Sequence, residues 1–329
     1  MQIVFWCNYY LCPVMEDLLF SINAVAPLFI LMVAGYTVRL FHLVSDKFLS
    51  EANRFVFRFM IPLMLFQNVR NAFCGDFSNA TLIIPALTGV SVVIIISLCI
   101  VPLFVKRRGQ RGSMIQGIYR SNFMIYGMPL ATGMYGQDAS QSIALMLGVM
   151  TPFYNLIAVI ILSIFSETRT QRISILQLLK EIAINPLILG CVAGALFGVC
   201  NIELPMAVNK PVGELAAAAP PLALLLMGGE FRFKSLNNNL LKVFSATAAR
   251  LIIVPLVAML VFIPMGFRTI ELSVLLCVFA TPTAVSSFIM ASNMGCDGEL
   301  SGQIVVLTTV CSSVTIFLFV FVLRSMGML

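Results

Sequence analysis

Asn79–Val105 reads NATLIIPALTGVSVVIIISLCIVPLFV, carries no charged residue, and is followed at once by Lys106-Arg107-Arg108. A bilayer's hydrocarbon core is about 30 Å thick and takes about 20 apolar residues of helix to cross. The stretch is long enough to span, and it ends on the cationic flank expected of a helix end facing the cytoplasm. The rest of the chain has the same character. Of 329 residues, 60% are apolar and 10% charged, with a mean hydropathy of +1.01, whereas a soluble domain carries about a quarter charged residues. A water-soluble fold is excluded.

Apolar runs between charged and Gly/Pro punctuation predict ten helices, near 19–41, 48–69, 79–105, 113–136, 139–165, 182–200, 212–229, 241–265, 270–296 and 299–323. An even number of spans leaves both termini on one side. Of the 20 basic residues, all but Arg70, Lys210, Arg268 and Arg324 then fall on one face. That 16-to-4 split makes the rich face cytoplasmic and both termini extracytoplasmic. The net charge of +6 therefore reads as an orientation signal, and no nucleic-acid partner is called for. Met1–Val14 is apolar but lacks the basic start of a signal peptide, and Met15 serves equally well as a start. The nine cysteines are scattered without a Cys-x-x-Cys pair and read as small apolar residues. With His42 the sole histidine, a multi-histidine metal site cannot be built, and no cofactor is expected.

Laid against itself at a constant shift of 159 residues, the chain matches Pro27-Leu28 with Pro186-Leu187 and Val33-Ala34-Gly35 with Val192-Ala193-Gly194. The same register matches Pro62-Leu63 with Pro221-Leu222, Leu65 with Leu224, and Gly136 and Asp138 with Gly295 and Asp297. The division is an extracytoplasmic N-terminus (1–18), a first five-helix repeat (19–165), a cytoplasmic link (166–181) and a second repeat (182–325). Each repeat holds an odd number of spans, so the halves cross the membrane in opposite senses. Secondary transporters use such inverted repeats to expose a central site to each side in turn.

The chemistry is expected in spans four and nine. Span four carries Tyr126-Gly127-Met128-Pro129, a Gly-x-Pro break near mid-membrane, and span nine carries Thr281-Pro282-Thr283-Ala284-Val285-Ser286-Ser287. Thr281 is placed to cap and Pro282 to open a new half-helix. Half-helices starting at Pro129 and Pro282 would aim their positive ends at the midplane from opposite directions, a setting for an anion such as a carboxylate. Asn122, Tyr126, Thr281, Thr283, Ser286 and Ser287 add neutral hydrogen-bonding groups beside the breaks. In hydrocarbon such broken backbone is tolerated only against protein or a wet cavity.

Four basic residues, Arg54, Arg58, Arg120 and Arg250, fall inside spans, where they either snorkel to the cytoplasm or attract an anion. Arg58 and Arg120 are the candidates for attraction. Asp138 and Asp297 read as helix caps, and Pro62 and Pro221 as residues that open space for the broken helices. No acidic residue falls in the middle of a span, so ion coupling has no visible carboxylate carrier.

Together these motifs resemble the auxin efflux carrier family of plant carriers and prokaryotic permeases. The residues are Asn185-Pro186-Leu187, the Pro62-centred span two, Arg120-Ser121-Asn122 with Gly127-x-Pro129, Thr281-Pro282-x-Ala284-x-x-Ser287, and Gly295-Cys296-Asp297. The resemblance implies an all-α membrane protein of ten helices in two inverted five-helix repeats, with a scaffold domain and a transport domain. It also implies that crossed broken helices hold a small organic anion, and that the chain forms homodimers. Matching positions are Asn122, Gly127 and Pro129 in span four, and Pro282 with its neighbours in span nine. The plant members' Asn-Pro-Asn-type crossover is replaced here by Tyr126-Gly127-Met128-Pro129, and their long cytoplasmic loop by the short Ser166–Ser174 link. A small carboxylate such as a dicarboxylate is therefore expected rather than an indole acid. The alternative reading is a membrane-embedded ligand sensor on the same fold, which a cytoplasmic signalling domain would mark; none is expected after span ten. An enzyme is not expected, since no Ser-His, paired-Asp or metal constellation is available at depth.

Overall fold

The computed structural model describes residues 26–73, 80–123, 126, 134–135, 137–168 and 175–329. Among them the chain is helical, and the only extended pairing is an isolated antiparallel bridge between Ser121 and Thr283. Helix α1 is Ala26–Leu40. α2 (Asp46–Phe55) is capped by Ser45, whose Oγ accepts from the Phe48 N–H at 3.1 Å, and it runs through a π-turn (Val56–Met60) into α3 (Ile61–Phe73). α4 (Ile83–Phe104), α5 (Arg108–Tyr119) and α6 (Gln137–Phe165) complete the first half. α7 (Ile175–Ile184) meets α8 (Pro186–Val199) at a 63° bend. Asn185 caps α8 by accepting from the Leu187 N–H, and Pro186 sits at the first helical position, where its missing N–H costs nothing. α9 (Met206–Glu230), α10 (Phe233–Ala248), a second π-turn (Ala249–Ile253) and α11 (Val254–Phe262) follow. α12 (Thr269–Ala280), α13 (Ser286–Asn293) and α14 (Gly298–Ser325) close the chain.

Among the described residues, five helical stretches are long and apolar enough to cross a membrane, or six counting the bent α7–α8 pair. Spans two, four and nine do not qualify as single apolar helices. The first carries charge at one end, and the other two are interrupted. Leu103 and Phe104 on α4 are 78% and 77% exposed, and Ile84, Ile95, Ile252, Leu260 and Val314 also face outward. An apolar belt of this extent is covered by lipid, not water. By contrast α5 is buried from Gly112 to Tyr119, and α12 from Leu272 to Ala280. α12 is apolar on every side over that stretch, as a helix at the centre of a bundle is, whereas α5 takes Ser113 and Gln116 into the interior with it. These two short helices are the core around which the rest is arranged.

Close approach at glycine fixes two helix pairs. A Cβ on Gly228 of α9 would fall on the Met32 carbonyl of α1, and one on Gly35 of α1 would fall on the Leu225 carbonyl of α9. On α8, Gly190 and Gly194 lie against α3, where added Cβ atoms would stand 2.5 Å from the Pro62 and Phe66 carbonyl oxygens. With lipid as apolar as any side chain, helices associate through such small-residue seams, which bring the backbones together.

Candidate functional site

Span nine breaks where the sequence places its proline. Pro282 has no N–H and pushes Thr281 out of the helical region, to φ −70°, ψ 153°. In place of opening the next half-helix, Pro282 lies in an extended link, and α13 begins at Ser286. Span four breaks earlier than the Gly127-Met128-Pro129 punctuation, which lies outside the described residues. α5 ends at Tyr119, and Arg120 is extended (φ −82°, ψ 108°) with no proline to cause it. The cause is tertiary. The Asn122 N–H donates to the Pro282 carbonyl at 2.8 Å, and the Ala284 N–H donates to the Arg120 carbonyl at 3.2 Å, so each broken strand satisfies the other's backbone. A helical turn resumes immediately, since the Tyr126 N–H reaches the Asn122 carbonyl at 3.2 Å.

Beside this crossover lies a cavity of about 80 Å³. It has room for roughly half a dozen waters at one probe sphere each. Arg120, Ser121, Asn122, Ala284, Val285 and Ser286 line it from the crossover. Asn68 of α3, Thr151, Tyr154 and Asn155 of α6, and Ala219-Pro220 of α9 line it from the surrounding helices. Arg120 is 4% exposed. Its guanidinium donates to Asn155 Oδ1 at 2.7 Å and Ser286 Oγ at 3.0 Å, and rests against Met290 Sδ. All of these partners are neutral. Asn122 is 6% exposed, and its buried Nδ2 has no acceptor among the described residues. The uncapped start of α13 and the turn resuming at Asn122 both open on this space. A buried cation with neutral partners, an orphaned amide donor and the positive end of a helix all favour an anion.

The sequence-predicted residues separate here. Arg120, Asn122 and Ser286 share the cavity. Thr281, Pro282 and Thr283 build the crossover instead: Thr281 Oγ1 donates to the Cys277 carbonyl and meets Ser121 Oγ, and Thr283 Oγ1 donates to the Gly117 carbonyl at 2.6 Å. Ser287 is fully buried, with no partner for its Oγ among the described residues, and does not line the cavity. Tyr126 is 4% exposed, with the Thr309 and Ser312 hydroxyls beside its phenol. Gly127 and Pro129 lie outside the described residues. Arg58 is exposed, and with Arg39, Arg54, Arg232, Asn53, Asn293 and Glu230 it lines a separate polar cavity of about 720 Å³ at the other end of α13. Asn68 and Asn155 were missed by sequence reasoning. Their signal was an uncharged amide at depth in a span, among mainly apolar neighbours for Asn155 and beside Gln67 for Asn68, which hydrocarbon tolerates only when paired.

Asp297 is a cap, as its spacing anticipates. Its side chain accepts from the Leu300 N–H at 2.9 Å and from Gln110 Nε2 at 3.0 Å, tying α14 to α5. Gly295, at φ +74°, makes the turn before it in a region only glycine enters freely. Asp138 begins α6, but its side chain lies outside the described residues. Asp297→Ala is expected to cost about 1–2 kcal/mol, a lost cap plus a lost side-chain bond. A thermal-unfolding scan in detergent measures it. Flux per folded molecule is expected to be unchanged, and a flux that disappears in stable protein would make Asp297 part of the transport machinery.

A family model described as "Membrane transport protein" matches residues 20–320. Among curated proteins, an "Uncharacterized transporter" of Methanothermobacter thermautotrophicus is 24% identical over 303 residues, covering 90% of this chain and 96% of that one. A Rhizobium meliloti protein named "Putative malonate transporter" is 23% identical over 307 residues, covering 92% and 95%. An "Uncharacterized transporter" of Methanocaldococcus jannaschii is 23% identical over 301 residues, covering 89% and 96%.

Proposed function

From the premise that this chain belongs to the membrane transport protein family, the auxin efflux carrier-like family its motifs resemble, we propose that it is a secondary transporter of a small organic anion. The anion is a carboxylate of dicarboxylate size, held at the crossover and moved by alternating access. The observation that carries this reading is Arg120, a buried guanidinium in a cavity whose other lining groups, among the described residues, are neutral. A charge kept in a membrane protein without a counter-charge is costly and marks a ligand's path. The cavity's small volume argues against a fused aromatic acid. The malonate in the Rhizobium meliloti relative's name makes that dianion the first solute to test.

The reading includes ten spans in two inverted halves. It is supported by paired contacts: Gly35 meets Leu225 while Gly194 meets Phe66, and the 159-residue shift that carries Gly35 onto Gly194 also carries Phe66 onto Leu225. Arg54 and Arg58, exposed in the large polar cavity, would draw the anion toward the crossover from the basic face.

Uptake of radiolabelled malonate into proteoliposomes, with an indole acid as comparison, tests the function. Saturable malonate uptake is expected, and its absence together with uptake of the indole acid would sink the dicarboxylate reading. Asn122→Ala removes one neutral hydrogen bond worth about 0.5–1.5 kcal/mol, so affinity for the anion is expected to fall roughly threefold to tenfold. Isothermal titration on folded protein reads it. For orientation, a cysteine-free protein carrying Lys106→Cys, an exposed position at the end of α4, is expected to be labelled by a membrane-impermeant maleimide only after the cells are opened. Labelling of intact cells would reverse the sidedness.

A further inference from the structure

Arg250 sits in the π-turn between α10 and α11, is 1% exposed, and does not line the crossover cavity. Its guanidinium points under the crossover, where the two buried half-helices end. Nε donates to the Thr281 carbonyl at 2.8 Å and one terminal nitrogen to the Val278 carbonyl at 3.1 Å. The other terminal nitrogen reaches the Tyr119 and Ile118 carbonyls at 3.3 and 3.4 Å. Four backbone oxygens from the C-terminal ends of α5 and α12 thus converge on one cation, with no carboxylate bonded to it among the described residues.

The magnitudes match. Each helix C-terminus carries the equivalent of about half a negative charge, so two such ends brought together in a low-dielectric interior amount to about one. A single guanidinium cancels it. Carriers built on broken helices commonly place a bound sodium ion or proton at this kind of position, among unwound carbonyls and half-helix C-termini. A planar fork with five donors can serve two helix ends at once, which the point charge of a lysine does less well.

We propose that Arg250 is a resident cation: its guanidinium fills the position a free monovalent cation would otherwise take, so the crossover keeps its register with no ion bound there. Resting on the transporter reading, the consequence is that solute movement needs no sodium at this site. Removing the side chain leaves four converging carbonyls and creates a site for a free cation, with the guanidinium ion as its best-fitting occupant.

Thermal unfolding of purified protein tests this without any solute, so it stands or falls separately from the anion reading. Arg250→Ala is expected to unfold on the order of 10 °C lower than the parent protein. Millimolar guanidinium chloride, well below denaturing concentrations, is expected to restore at least half of that loss in a saturable way. Urea and choline chloride at the same concentration are expected to do nothing, and the parent protein should not respond. Stabilisation of Arg250→Ala by sodium would support the proposal equally. Arg250→Lys, which keeps the charge, is expected to hold most of the stability, and Arg250→Gln, of similar length but neutral, to behave like Arg250→Ala. If Arg250→Ala gives no folded protein, the folded yields of the Lys and Gln variants decide. An Arg250→Ala protein indifferent to every cation, or a Gln variant as stable as the Lys variant, would overturn the proposal and leave Arg250 as ordinary packing. Anion uptake by the parent protein is expected to be the same in sodium and in choline buffer, and sodium-dependent uptake would refute the consequence for coupling.

Discussion

Arg120→Gln is expected to weaken anion binding at the crossover strongly while leaving the protein as stable as before, or more so. A hydrogen bond to a charged group is worth about 1.5–3 kcal/mol, and the guanidinium is the one full charge lining this cavity among the described residues. Its loss should weaken binding by one to two decades, with uptake falling below detection. Stability should move in the opposite direction. Arg120 is 4% exposed and, among the described residues, is bonded to the neutral Asn155, Ser286 and Met290, so the fold bears its desolvation with no counter-charge from them. A glutamine can keep one of the Asn155 or Ser286 bonds and relieve that cost. Arg120→Lys should fall between, since a single ammonium cannot hold the two neutral partners and an anion in one plane. Titration calorimetry with malonate and a thermal scan on the same samples give both signs. Reduced stability with unchanged binding would mean that Arg120 is a strut of the crossover and the anion is held elsewhere.

Two alanines in the same helix are expected to act oppositely. Gly228→Ala places a methyl group on the Met32 carbonyl, 2.7 Å from its carbon, with only backbone in the way. Neither α1 nor α9 can yield without separating, so the cost should reach or exceed about 3 kcal/mol, the upper end for overpacked interiors. Most of the protein should then fail to fold. Gly213→Ala, on the same helix, meets nothing nearer than Gln67 Nε2 at 3.7 Å. It should be neutral or stabilising by up to about 1 kcal/mol, the ordinary helix-propensity gain of alanine over glycine. Fluorescence-detected size exclusion and thermal scans of the pair distinguish a true close approach from two glycines that merely sit in a helix. Equal behaviour would mean that the α1–α9 seam is looser than its geometry.

Some of this protein was legible in order along the chain, because the signals are local. The uncharged run of Asn79–Val105 and the 10% charged content decide a membrane solvent before any contact is known. Pro282 breaks span nine through its own ring and missing N–H, and Asp297 caps α14 because an acceptor three residues before an N–H is all a cap requires. The family, too, was carried by such motifs. The site was only half legible. The break in span four lies at Arg120 because Pro282 and Ala284, far away in sequence, supply its backbone partners, and no residue in span four announces it. The same holds for the four buried or boundary arginines, which look alike in the sequence. Tertiary structure alone gives Arg120 neutral partners in a cavity, Arg250 the ends of two helices, and Arg54 and Arg58 an open polar space. A charge inside a bilayer protein takes its role from whatever long-range folding brings within about 3 Å of it, and that distance is not written in the order of the residues.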